Sequence, residues 1–263
     1  MDLGIKGKVA LVTAASQGLG KAAAYQLAAE DVKVAICSRN QDTLDKTTLE
    51  IKSNTNGIIR GYVCDVTDEA GVKNLIEDIT ADFGSLDILV CNAGGPPAGA
   101  ALDFNLEDYR TAIELNLMST INLCMLSLPL MRRNCWGRII VITSVSVKQP
   151  IDTLALSNTA RAGATGFIKS LSNQVAADGI TVNAICPGYT KTKRVENLAH
   201  AFQAAGNGTE ADFYAKLEAD IPMKRIGTNS EFGHTVAFLA SQGAGYITGV
   251  SLQVDGGFVK GLL

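Results

Sequence analysis

The stretch Val9-Ala10-Leu11-Val12-Thr13-Ala14-Ala15-Ser16-Gln17-Gly18-Leu19-Gly20-Lys21-Ala22-Ala23-Ala24 changes character twice. Val9 to Thr13 is a short apolar, β-branched run, Thr13 to Gly20 is a turn of small residues, and from Gly18 onward the chain is alanine-rich and helical in pattern. A strand that feeds through such a turn into a helix amino terminus builds an anion site, because unpaired backbone N–H groups and the helix dipole converge on one point. Gly18 lets the backbone approach phosphate groups, and Gly20 lets helix and strand pack closely. The spacing suits a pyrophosphate. A glycine-rich turn without a ligand is written in similar letters, so the loop needs support from the rest of the chain. A nucleoside-triphosphatase phosphate loop is excluded: Gly20-Lys21 is followed by Ala22, and Ala15 stands where the first glycine is required.

Outward from this point the same alternation recurs. Further β-branched runs lie at Val32 to Cys37, Ile59 to Cys64, Leu86 to Cys91, Arg138 to Thr143, Ile180 to Cys186 and Val250 to Val254. Helical patterns separate them at Gly18 to Glu30, Gln41 to Ser53, Glu69 to Phe83, Leu106 to Arg133, Thr153 to Ala177 and Ser230 to Ser241. Seven strands alternating with helices predict a doubly wound α/β fold, a parallel sheet with helices on both faces, formed by residues 1–263 as one domain. The rhythm breaks at Tyr189 to Gly227, a Lys-, Asn- and Gly-rich insertion beyond the sixth strand. At the carboxyl ends of the strands it is placed to act as a lid over a substrate.

Composition narrows the chemistry. The chain has 263 residues, 47% hydrophobic and 19% charged, with 26 Gly against 6 Pro, an ordinary globular balance. A formal charge of −3 with 23 Lys and Arg spread along the chain offers no field for a nucleic-acid backbone. No apolar run approaches the roughly 18 residues of a membrane span, and Met1 to Gly7 has no leader pattern, so a cytoplasmic protein is expected. Six cysteines without a C-x-x-C pair or a nearby His argue against disulfide scaffolding and against a metal site. There is no nucleophile elbow, and His200 and His234 have no neighbours that suggest a triad.

Taken in order, Thr13-Ala-Ala-Ser-Gln-Gly-Leu-Gly20, Cys64-Asp-Val, Asn92-Ala-Gly, Asn116, Ser144 after Gly-Arg-Ile-Ile-Val-Ile-Thr, Pro187-Gly-Tyr-Thr-Lys-Thr and Tyr246-Ile-Thr-Gly-Val-Ser-Leu-Gln-Val-Asp-Gly-Gly are seven landmarks spanning nearly the whole chain. The sequence resembles the short-chain dehydrogenase/reductase family, in its 3-oxoacyl-carrier-protein-reductase-like branch. The resemblance implies a single-domain Rossmann fold of strand order 3-2-1-4-5-6-7, commonly assembled as a homotetramer through two long helices and the last strand. It implies a dinucleotide held by Thr13, Ser16, Gln17, Gly18, Leu19 and Gly20, with Asp65 and Val66 flanking the adenine and Asn92, Ala93 and Gly94 at the adenine ribose. Pro187, Gly188, Thr190 and Thr192 would meet the nicotinamide end. Ala14 departs from the pattern, standing where the family usually has its first glycine.

The second strand ends in Cys37-Ser38-Arg39-Asn40. An NAD site places a carboxylate here for the ribose hydroxyls, whereas a 2′-phosphate needs a cation and excludes a carboxylate. Ser38 and Arg39 therefore favour NADP over NAD. Gln17 adds no second basic residue.

The resemblance also implies a catalytic Ser, matched by Ser144, a helix Asn, matched by Asn116, and a Tyr-x-x-x-Lys pair. Alignment puts Ser157 at the tyrosine position and Arg161 at the lysine position. Among the six tyrosines only Tyr189 has a lysine four residues later, Lys193, and that pair falls in the insertion. Serine is a far weaker acid than a phenol of pKa about 10, and arginine does not relay protons. Arg161 would hold the nicotinamide ribose or an oxyanion, while a water ordered by Asn116, Ser157 and Arg161, or Tyr189, would deliver the proton. Two classes of function follow. One is an NADP-dependent oxidoreductase on a carbonyl or secondary alcohol, with an altered acid-base group and a substrate that is anionic or carrier-bound. The alternative is a dinucleotide-binding protein with little redox turnover, serving as a sensor or assembly subunit.

Overall fold

A computed structural model describes residues 2–262. Seven strands, β1 (Val9–Val12), β2 (Lys33–Ser38), β3 (Ile59–Val63), β4 (Ile88–Cys91), β5 (Gly137–Ile142), β6 (Ile180–Pro187) and β7 (Ser251–Val254), form one sheet of order β3-β2-β1-β4-β5-β6-β7. Every neighbouring pair is parallel, with Leu11 opposite Ala35 on one side of β1 and opposite Leu89 on the other. β1, β2, β4, β5 and β6 are buried on both faces, which is why their sequences are largely apolar, whereas the edge strands β3 and β7 are partly exposed.

Side-chain alternation along β1 divides the core. Val9 and Leu11 join α3 (Glu69–Phe83), α5 (Ser119–Arg133) and α6 (Ala155–Val175) through Leu75, Ile79, Leu123 and Ile168. Ala10 and Val12 face the other layer, packing with Ala23 and Leu27 of α1 (Gly18–Ala29), Leu44 of α2 (Gln41–Thr55) and Phe232 of α9 (Asn229–Ala240). Small residues on α1 allow close approach: a Cβ on Gly233 of α9 would lie 2.7 Å from the Ala22 carbonyl oxygen.

The helix expected over Leu106 to Arg133 is continuous but irregular. It begins as α4 (Leu106–Ile113), passes through a π segment at Glu114–Met118 and continues as α5. The segment is held by side chains bonding back to carbonyls: Ser119 Oγ donates to Leu115 O at 2.6 Å and Thr120 Oγ1 to Asn116 O at 3.2 Å. This run of 28 residues is also long and apolar enough, by length and composition, to cross a membrane, which corrects the expectation that no such run exists. It is packed against the sheet through Leu123, Cys124 and Leu128, as a core helix is.

The insertion is more ordered than its composition suggests. It contains α7 (Lys193–Ala204) and α8 (Glu210–Asp220), the second opened by a capping box in which Thr209 and Asp212 bond each other's backbone N–H groups.

Candidate active site

The strand order reverses between β1 and β4, and a cavity of about 580 Å³ opens there at the carboxyl ends of the strands. One end is built by the turn between β1 and α1. Gln17 precedes the helix in extended conformation without a side-chain cap, and α1 has no acidic residue in its first turn. By contrast α2, α3, α4, α8 and α9 are each capped by a side chain. Among the described residues the N–H groups of Gly18, Leu19 and Gly20 have no protein acceptor, so they are free for an anion.

Two residues of this turn carry backbone constraints. Gly18 has φ +58°, and a Cβ on it would face Thr192 across the cavity at 3.8 Å. Ala14 also has φ +46°, in the left-handed region that suits glycine, so the methyl is accommodated at the cost of backbone strain. Gly20 lies behind the turn, where a Cβ would meet Ala14 O and Asn92 Nδ2, each at 2.7 Å.

The residues behind the turn are braces. Thr13 is fully buried; its Oγ1 donates to Asn92 O at 2.7 Å and accepts from Asn92 N at 2.8 Å, tying the ends of β1 and β4. Asn92 Nδ2 donates to Ala14 O at 3.1 Å, so this amide fixes the turn from the cavity wall. Thr13 and Gly20, expected to touch a cofactor, do not line the cavity.

Ser38, Arg39, Asp65 and Val66 line the cavity where β2 and β3 end. Ser38 Oγ donates to Asn40 O at 3.3 Å. Arg39 is exposed, and its nearest carboxylate is Asp65 at 3.8 Å. The backbone N–H of Thr67 holds the Asp65 carboxyl below its usual range, with help from the Thr67 hydroxyl and Arg39. Cys64, also in this wall, is no nucleophile: burial pushes its thiol up to about 11, and Asp68 and Asp65 add to the shift.

At the other end, Ser144 follows β5 and accepts from Ser146 N at 3.1 Å, which caps a short 3₁₀ turn. Ser157 and Arg161, four residues apart on α6, share one face, line the cavity and are 7% and 8% exposed. The Ser157 hydroxyl makes no hydrogen bond to a described residue. Arg161 donates from one terminal nitrogen to Ile142 O at 2.7 Å and Thr143 O at 3.2 Å, and from the other to Ala93 O at 3.4 Å. No carboxylate pairs with it among the described residues. Burial, reinforced by Arg194, pushes its pKa down to about 10, so it remains a cation at neutral pH.

Asn116, expected beside these groups, is 4% exposed and outside the cavity lining. Its Nδ2 donates to Ala112 O at 3.3 Å, and its Oδ1 is buried without a partner. Such an atom is costly unless something else reaches it, and a water is the smallest candidate. Gly94, Pro187, Gly188, Thr190 and Thr192 all line the cavity.

The sequence did not single out the lid's Leu198 or the apolar wall of Ile151 and Leu154. Tyr189 also lines the cavity, against Phe258 with ring centres 5.5 Å apart. Burial pushes its phenol up, and Asp220 does so further, so it is a loaded but weak acid. Lys193 opens α7 and pairs with Glu196 at 3.4 Å, so Tyr189 and Lys193 do not share a helix as a catalytic pair would. His200 pairs with Glu210 at 2.7 Å and His234 lies on α9; neither lines the cavity.

The family description "Enoyl-(Acyl carrier protein) reductase" matches residues 13–259, which includes every element of this cavity. The chain belongs to the short-chain dehydrogenase/reductase family. It is 36% identical over 255 residues to the 3-oxoacyl-[acyl-carrier-protein] reductase FabG of Escherichia coli (strain K12), covering 97% of this chain and 98% of that one. The L-sorbose reductase from Gluconobacter frateurii, solved with NADPH and L-sorbose, superposes with a TM-score of 0.95 at 30% identity, covering 100% of both chains. Actinorhodin polyketide ketoreductase, solved with NADPH, gives a TM-score of 0.91 at 30% identity, covering 95% of this chain and 97% of that one. In this short-chain dehydrogenase/reductase one cavity is lined by the turn before α1, by Ser144 and by Ser157 and Arg161 of α6.

Proposed function

We propose that this protein is an NADP-dependent oxidoreductase that interconverts a carbonyl and a secondary alcohol, with Ser157 and Arg161 in place of the usual tyrosine and lysine. The observation that carries the reading is one continuous cavity. It joins the uncapped amino terminus of α1 to Ser144, Ser157 and Arg161. The free N–H groups of that helix suit a pyrophosphate, and Ser38 with Arg39 suits a 2′-phosphate. The NADPH in the named structural neighbours supports this assignment.

When bound, the dihydronicotinamide supplies a hydride to the carbonyl carbon. The chain's own residues then have three tasks. Ser144 and Ser157 hydroxyls orient the carbonyl oxygen by hydrogen bonds, and Arg161 stabilises negative charge growing there, in a site where burial strengthens the interaction. Arg161 has five N–H donors and spends three on carbonyls, so two remain for the ribose or the oxyanion. It does not give up its own proton near neutrality. The proton that completes the alcohol comes through the Ser157 hydroxyl from a water route in which the unpartnered Asn116 Oδ1 is the inner acceptor. The exposed Met125 of α5 and Leu252 of β7 lie on the kind of elements, a long helix and the last strand, through which a homotetramer would assemble.

The test is NADPH oxidation with a panel of ketones, aldehydes, oxo acids and oxo esters, alongside titration with NADPH and NADH. Carbonyl-dependent oxidation and tighter binding of NADPH are expected. Arg39→Asp should reverse the cofactor order, because a carboxylate repels the 2′-phosphate and attracts the ribose hydroxyls. Tight NADPH binding with no turnover on any carbonyl would favour the sensor or assembly role instead.

A further inference from the structure

The charges around the cavity do not balance. Of the cations at or near the lid, Lys193 is paired with Glu196 and Arg225 with Glu231 at 2.6 Å, while Lys224 Nζ donates to Ala219 O at 2.6 Å. Arg39 lies opposite Asp65. Two arginines in the cavity wall have no carboxylate partner among the described residues, Arg161 from α6 and Arg194 from α7.

These two converge on one segment. Arg161 donates to Ala93 O, and Arg194 donates from a terminal nitrogen to Pro96 O at 3.0 Å, so they hold opposite ends of the turn that follows β4. Arg194 lies across Gly95, where an added Cβ would come 3.4 Å from its guanidinium carbon. Each keeps unused N–H donors; Arg161 is buried, whereas Arg194 is exposed at the cavity rim, and it is close enough to disfavour the charge on Arg161. A buried cation without an acid, with a second cation close by, is an unfavourable arrangement that an anion between them relieves. The anion groups of the dinucleotide have their own donors, at the amino terminus of α1 and at Ser38 and Arg39. The Ser144 and Ser157 end therefore has a cation to spare in Arg194.

We propose that the substrate carries a free carboxylate beside its reacting carbonyl or hydroxyl group, with the Arg194 guanidinium as its hydrogen-bonding counter-ion and the positive charge of Arg161 close behind it. The proposal rests on the reading that the same cavity holds NADP. A guanidinium fork matches a carboxylate in two parallel hydrogen bonds, and Leu154, Val195 and Leu198 line the cavity with apolar surface suited to a short hydrocarbon part. A thioester or ester brings no charge beside its carbonyl and leaves the arginines unpaired. The selected class is thus small oxo acids and hydroxy acids.

Calorimetry on the protein saturated with NADP⁺, titrated with 3-hydroxybutyrate, lactate and malate and with the methyl ester of each, reads this without turnover. At least one acid should bind more tightly than its ester by about tenfold or more, the scale of one charged hydrogen-bonded contact. Arg194→Met should remove that preference and leave NADP⁺ affinity nearly unchanged. Arg194→Lys should retain part of it, and serves if the methionine variant does not fold. Esters binding as well as acids throughout the panel would overturn the proposal, as would loss of NADP⁺ affinity in parallel with acid affinity. Ketone or ester reduction without acid preference would reject the carboxylate subsite and leave the oxidoreductase standing. Acid binding without hydride turnover would do the reverse.

Discussion

The two ends of the cavity obey different rules. The end at α1 is made of backbone: free N–H groups, a glycine with positive φ, and buried side chains such as Thr13 and Asn92 that brace the turn from behind. Backbone recognition tolerates changes in side chains, so Ala14 can replace a glycine there with only local strain. The end at α6 is made of side chains, and their chemistry is the function. On the proposed reading, Ser157 and Arg161 in place of a phenol and an ammonium would keep a hydroxyl and a cation in the wall and change the acid that completes the reaction. On that reading the dinucleotide site persists while the proton route is rebuilt.

The contrast is tested most severely by restoring the α6 pair. Ser157→Tyr combined with Arg161→Lys should raise carbonyl reduction by about 100- to 10,000-fold if proton delivery limits turnover, the range of general acid catalysis. Steady-state NADPH oxidation by the double variant and both single variants decides this. If the double variant binds NADPH normally and reduces no faster, the difference between the two ends is not an acid-base difference.

Removing the cation alone should have a smaller effect. Arg161→Ala is expected to weaken NADPH binding by about 1.5–3 kcal/mol if its unused donors reach the ribose, the scale of hydrogen bonds to a charged group. Fluorescence titration measures it. Unchanged NADPH affinity with impaired reduction would assign those donors wholly to the oxyanion and substrate.

The smallest effect is expected at the backbone end. Ala14→Gly should relieve the left-handed strain at φ +46° and stabilise the protein by about 1 kcal/mol or less, since glycine's extra freedom in the unfolded chain offsets part of the gain. Thermal unfolding should show a rise of no more than about 2–4 °C. NADPH affinity should stay the same or improve slightly, because the N–H donors at Gly18 to Gly20 are not altered. A marked fall in affinity would mean that the methyl shapes the turn.

Much of the architecture was legible because it is local. Doubly covered strands must be apolar along their whole length, and six helices announced themselves by period, several within one residue of their observed ends. The insertion was harder. Its two helices lie in a stretch rich in Lys, Asn and Gly, although the Thr209-Glu-Ala-Asp212 box marks the start of α8 for a reader looking for reciprocal caps. The π segment at Asn116 has no such local mark, since it depends on how the helix packs.

Legible in the residues alone are the strand–turn–helix alternation, the small-residue turn ahead of α1, the cation at the end of β2 and the absence of a Tyr-x-x-x-Lys pair on α6. These are set by short spacings and by residue type. Packing was needed to show that Thr13 braces the turn from behind, that Asn116 is enclosed with an unpartnered oxygen, and that Lys193 and Arg225 are neutralised by neighbours while Arg161 and Arg194 are not. Those facts depend on which distant groups meet across α6, α7 and the turn after β4. Pairing and burial between residues far apart in the chain are fixed by packing, and no local pattern records them.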